Sequence, residues 1–133
     1  MNAPADFPTQ RMQNRLFRWK RVIERALREA DLMTYEDVER DVLEGRKLLF
    51  DNDKAFAIVD IQDYTKGRVA HILAAGGTLA GLKELQEKAI PFFKLIGARR
   101  LTQAGRLGWA RTLPAWGWKQ PRVVMELALD DLP

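Results

Sequence analysis

The chain has 133 residues, with 22 basic and 18 acidic side chains and a formal net charge of +4. That length fits one domain, and a chain of this size can bury roughly two-thirds of its unfolded surface. With no cysteine and a single histidine, His71, the composition excludes disulfides, thiolate nucleophiles, zinc-thiolate sites and multi-histidine metal centres.

Residues 1–10 hold Pro4 and Pro8 with few apolar anchors and read as an extended arm. Residues 11–31 predict a helix, because Leu16, Trp19, Ile23 and Leu27 recur at three- and four-residue steps. Its other face carries Arg11, Arg15, Arg18, Arg21, Arg25 and Arg28. Such a face could lie on nucleic acid, on a membrane or on a partner. Glu24 and Glu29 interrupt it, which favours a core-packing helix kept soluble by its arginines.

Thr34 opens a second helix. Its hydroxyl and the Asp37 carboxylate three residues on resemble a capping box, Val38, Val42 and Leu43 form the apolar side, and Gly45 stops it. Strands follow at 47–50, 55–61 and 68–75. In the second, Ala55, Ala57, Val59 and Ile61 alternate with Phe56, Ile58 and Asp60, so the two sets face opposite sides. The third is apolar almost throughout, as for a strand covered on both faces. Pairing of the second and third is expected to be antiparallel, across a connecting turn at 62–67.

Gly76-Gly77-Thr78 leads into a helix over 79–96, with a break expected at Pro91. A strand at 99–103, a short helix at 105–113 ended by Pro114, and an alternating final strand at 122–129 complete the pattern. This order predicts an α/β protein, a mixed sheet with helices on both faces. It is organised as an N-terminal arm and basic amphipathic helix, 1–33, and a domain over 34–133, in one compact body.

Three stretches carry a resemblance. They are Ile72-Leu73-Ala74-Ala75-Gly76-Gly77; Leu95-Ile96-Gly97-Ala98-Arg99-Arg100; and Gly105-Arg106-Leu107-Gly108-Trp109-Ala110-Arg111 with Leu113, Gly117-Trp118 and Val123-Val124-Met125-Glu126-Leu127. From Thr34 onward the chain resembles small acyl-CoA N-acyltransferase-like (GNAT-like) proteins of tailed phages and prophages. The resemblance implies a three-layer GNAT-like fold. It implies that Ala75, Gly76, Gly77, Thr78 and Leu79 take the place of the loop that cradles the acyl-CoA pyrophosphate, with acetyl-CoA as the cofactor if there is one. A glycine pair at a helix start suits phosphate, since it lets backbone N–H groups approach the anion.

The chain departs from the family at two places. No basic or amide residue opens the loop, and the position of the proton-donating tyrosine falls on Leu113. His71 is a candidate general base, with Asp60 as the alternative. Arg106, Trp109 and Arg111 are candidates for ligand or partner contact.

Three functions follow as expectations: a virion structural, internal or assembly component with at most vestigial acyl-CoA binding; an active N-acetyltransferase; or a nucleic-acid-binding accessory protein. The expected partners are other phage structural proteins or further copies of the chain. The expected location is host cytoplasm or virion, because no apolar run approaches the ~18 residues that cross a membrane and no secretory pattern opens the chain.

Overall fold

The computed structural model describes residues 3–30, 32–105 and 107–133. It contains two compact units, Met1–Gln103 and Ala104–Pro133. The division therefore falls after Gln103, and the N-terminal helices belong to the same unit as the sheet.

The first unit opens with α1 (Ala3–Arg18) and α2 (Lys20–Ala30). The expected arm is thus helical from Ala3. Pro4 lies in the first turn, where a backbone donor is not needed, and Pro8 removes one bond within α1. The two helices meet at Trp19, whose N–H still reaches the Leu16 carbonyl at 2.9 Å while its own carbonyl accepts from Ile23 at 2.8 Å. α3 (Tyr35–Leu43) begins at the predicted capping box: Asp37 N–H donates to Thr34 Oγ1 at 3.2 Å, and Thr34 N–H to Asp37 Oδ2 at 3.0 Å. That amide bond, followed by the Arg40 guanidinium, holds the Asp37 carboxyl below its ordinary range.

The sheet has strands β1 (Lys47–Asp51), β2 (Ala55–Tyr64), β3 (Gly67–Gly77) and β4 (Ala98–Gln103), in that spatial order. β1–β2–β3 is an antiparallel meander, and β4 lies parallel to β3. The predicted antiparallel pairing of β2 with β3 is present but extends further than the sequence suggested. Tyr64 pairs with Gly67, so the connection shrinks to Thr65-Lys66. Return to a parallel strand requires a crossover, supplied by α4 (Leu79–Leu95). α4 runs through Pro91 where a break was expected. Pro91 is exposed, while Ala89 and Phe93 on either side of it are anchored in the core.

Two cores sit on opposite faces of the sheet, as the alternation of β2 requires. On one face Leu16, Trp19, Ile23 and Leu27 pack with Tyr35, Val38 and Val42 against Leu49, Phe56, Ile58 and Ala74. On the other, Ala89 and Phe93 of α4 pack against Val59 and Ala70. The result is a mixed α+β arrangement in three layers, helices–sheet–helix. The favoured reading of the N-terminal stripe as core is what this packing shows. Arg15 is tied by its guanidinium to Asp51 at 2.7 Å, and Arg18 reaches Asp53, so part of the basic face serves to join helix to sheet.

In the second unit, α5 (Leu107–Thr112) runs into a 3-10 turn, Leu113–Trp116, which closes on Gly117 at φ +95°. The strand expected at 122–129 is not formed. Alternation marks a segment able to pair, but a strand exists only where a neighbour supplies its hydrogen bonds. Among the described residues this stretch has no ladder partner and ends in a 3-10 turn, Leu129–Asp131. Among the described residues, no helix is long and apolar enough to cross a membrane.

Candidate functional site

The register places one polar row across all four strands. Lys47 of β1 pairs with Asp60 of β2, Asp60 with His71 of β3, and His71 with Thr102 of β4. The two residues proposed separately as bases, His71 and Asp60, are therefore direct cross-strand neighbours. His71 Nδ1 lies 2.9 Å from Thr102 Oγ1, which fixes the ring. Lys47 Nζ is committed to Asp41 of α3 at 2.9 Å, and Gln62 Nε2 donates to Asp60 at 3.4 Å. Thr102 was not singled out in the sequence, and nothing local to it could have shown that it meets a residue 31 positions away.

Burial lowers the proton affinity of His71 below its ordinary value of 6.5, and the Asp60 charge opposes that shift. The ring is consequently neutral at pH 7, the state a proton acceptor needs. A neighbouring carboxylate would favour the imidazolium formed on accepting a proton.

The lowered value also has a consequence for stability. The native state binds the proton less readily than the unfolded chain, so this contribution is complete above about pH 6.5 and is lost as the pH falls below it. The paired carboxylates Asp37 and Asp41, both held low, lose theirs only near pH 4 and below. His71→Asn is expected to flatten the stability profile just below about pH 6.5. Urea midpoints at several pH values check this, and an unchanged slope in that window would contradict it.

The row sits beside a fork in the sheet. Pairing of β3 with β4 ends at Ile72 and Gln103, whereas β3 continues to Gly77 against β2 alone. At the fork β3 carries a bulge: Ile58 pairs with Ala74 and Val59 with Ile72, so Leu73 is the extra residue.

Beyond the fork lies the turn proposed to hold a pyrophosphate. Its glycines answer to the chain's own packing. A Cβ on Gly77, at φ +110°, would collide with the Lys54 carbonyl oxygen, and one on Gly76 would stand 2.6 Å from Val22 Cγ1. Thr78 N–H donates to the same Lys54 carbonyl at 2.9 Å, and Thr78 Oγ1 accepts from Gly81 N–H at 3.0 Å. Asn52 ties the β1–β2 turn to this helix start by donating to the Gly81 carbonyl at 3.1 Å. Ala75 is half-buried in β3, and Leu79 is exposed in the first turn of α4. Of the remaining candidates, Trp109 is half-buried and Arg111 exposed on α5, while Arg106 lies outside the described residues. Leu113, which the resemblance sets at the place of a proton-donating tyrosine, is buried. Among the described residues no cluster of histidine and carboxylate side chains could hold a metal ion.

No protein-family model matches the chain. The search of curated proteins finds no relative. Among solved structures, a point mutant of TTHA1254 from Thermus thermophilus is similar in fold, with a TM-score of 0.57 and 12% identity over 72% of this chain and 79% of that one. At that identity the likeness speaks for the arrangement of elements alone.

Proposed function

We propose that this chain is a GNAT-like protein, of the kind encoded by tailed phages and prophages, whose fold serves assembly and not acyl transfer. One observation carries the reading: the turn that would cradle a pyrophosphate is occupied by its own chain. Gly77 and Thr78 are pressed against Lys54, and the Thr78 amide is spent on the Lys54 carbonyl. The buried Leu113 supports it, since a leucine cannot protonate a leaving thiolate. The phage origin rests on the sequence resemblance in 105–127. On this reading the protein is a structural, internal or assembly component of a virion.

A second reading is favoured by the His71–Thr102 pair at the fork. A neutral imidazole beside the opening between two parallel strands could deprotonate an amine, which would suit an acetyl-CoA-dependent N-acetyltransferase. Calorimetric titration with acetyl-CoA separates the two. No saturable heat is expected up to about 1 mM, the weakest affinity such a measurement reads well. Saturable binding, with acyl transfer to an amine that His71→Asn abolishes, would overturn the assembly reading and establish the enzyme.

A further inference from the structure

The segment after the tryptophan-rich turn is unlike the rest of the surface. Val123, Val124, Met125 and Leu127 are between 67% and 87% exposed, an apolar run broken only by Glu126 and lying outside any helix or strand. Monomeric domains seldom leave such a stretch in water, and an extended β-branched strand with open hydrogen-bonding groups is a template for pairing. The sheet meanwhile ends at β4, whose outer side has no neighbouring strand among the described residues. A donor strand and an acceptor edge are thus both present in one chain.

From this we infer that residues 122–127 of one copy add as an antiparallel strand to β4 of a second copy, and reciprocally, making a strand-exchanged dimer. The inference deepens the assembly reading above by naming the partner.

Length and charge select this edge and this direction. β4 and the segment are each six residues long. Antiparallel pairing in full register sets Arg122 against Gln103 and Val124 against Leu101. It also brings Met125 against Arg100 and Glu126 against Arg99, an opposite-charge cross-strand pair. Parallel pairing would instead bring Arg122 to the Ala98–Arg100 end, like charge to like. Leu101 packs on the α4 core, so Val124 beside it would continue that apolar surface outward. Arg99 gives one N–H to the Lys66 carbonyl at 2.8 Å and keeps further donors for Glu126. The opposite edge, β1, offers no such match, because Lys47 is engaged by Asp41 and Asp51 by Arg15. Exchange between two identical chains is reciprocal and gives a closed twofold interface in which the β4 edge of each copy is paired.

The absence of cysteine makes the test clean. Arg100 and Met125 are both exposed, so single cysteines there leave both cores intact. Tagged Arg100→Cys mixed with untagged Met125→Cys, then oxidised, is expected to give a disulfide-linked pair carrying one of each. Sedimentation of the full-length wild type at about 100 µM is expected to give twice the monomer mass. Neighbouring N–H groups of a strand face opposite ways, so replacing both Val124 and Met125 by proline removes a ladder donor without touching the described cores and is expected to halve that mass while far-UV dichroism is kept. A monomeric wild type, or a dimer unmoved by the double proline variant, would overturn the inference. So would a double-cysteine chain that closes only on itself. None of these outcomes depends on acetyl-CoA, so a monomer that also fails to bind acetyl-CoA would leave the non-catalytic reading standing and remove only the second copy as partner.

Discussion

Ile23→Ala is expected to lower the unfolding free energy by about 2–5 kcal/mol, the range for truncating a fully enclosed branched aliphatic side chain. Ile23 has no exposed surface and sits among Leu16, Trp19, Phe56 and Ile58, where α2 meets the sheet. Removing its outer carbons leaves a void that rigid neighbours on a helix and a strand cannot collapse to fill. The matched control is Arg21→Ala, two residues away on the exposed side of the same helix, which should fall within about 0.5 kcal/mol of wild type. Urea denaturation of both variants decides the matter. A loss below about 1 kcal/mol for Ile23→Ala would mean that the N-terminal helices lie on the sheet without being part of its core. It would also reopen the idea that their apolar stripe belongs to a partner.

Gly77→Val is expected to cost more than about 4 kcal/mol and to leave little folded protein at 37 °C. Two penalties coincide there. The backbone is at φ +110°, a conformation that a β-branched residue does not tolerate, and the new Cβ would overlap the Lys54 carbonyl oxygen and fall 2.6 Å from Ala55 Cα. Both obstacles are backbone atoms beside the paired strand, so relief means parting β2 from β3. Gly45→Val shares a positive φ, +79°, but meets nothing within 4 Å. It should therefore cost distinctly less, since it lacks the collision and its backbone lies nearer the left-handed region that side chains can reach. Equal losses would show that φ, and not Lys54, makes the glycine necessary. The same comparison bears on cofactor binding, since loss of acetyl-CoA affinity in a Gly77 variant means nothing unless the variant is folded.

Elements whose signals are local were readable from the chain. The Thr34–Asp37 box lies within one turn, and the alternation from Ala55 to Ile61 assigns both faces of β2 from neighbours two residues apart. What went unread depended on partners distant in sequence. The run at 122–129 has the composition of a strand, yet pairing is a property of two segments, and the second is not supplied within the described chain. Pro91 looked like a break because the pull of Ala89 and Phe93 on the core cannot be seen from the proline itself. The Gly76-Gly77 pair resembled a phosphate loop, whereas Gly77 answers to Lys54 and Ala55, about twenty residues earlier, and Gly76 to Val22 and Phe56. His71 and Asp60 could each be named. That they stand side by side, with Thr102 completing the row, follows from a register set by a two-residue hairpin turn and a helical crossover.

That short hairpin turn also dictates an order of events in time. β2 and β3 meet across Thr65-Lys66, a closure that chains complete in about 1–10 µs. β1 joins by an equally local step through residues 52–54. β4 must wait until the whole of α4 has folded back over the sheet, a longer loop with a higher entropic barrier. During synthesis the meander has all its parts before β4 leaves the ribosome, so the nascent chain exposes the bare edge of β3 for as long as the crossover helix takes to be translated.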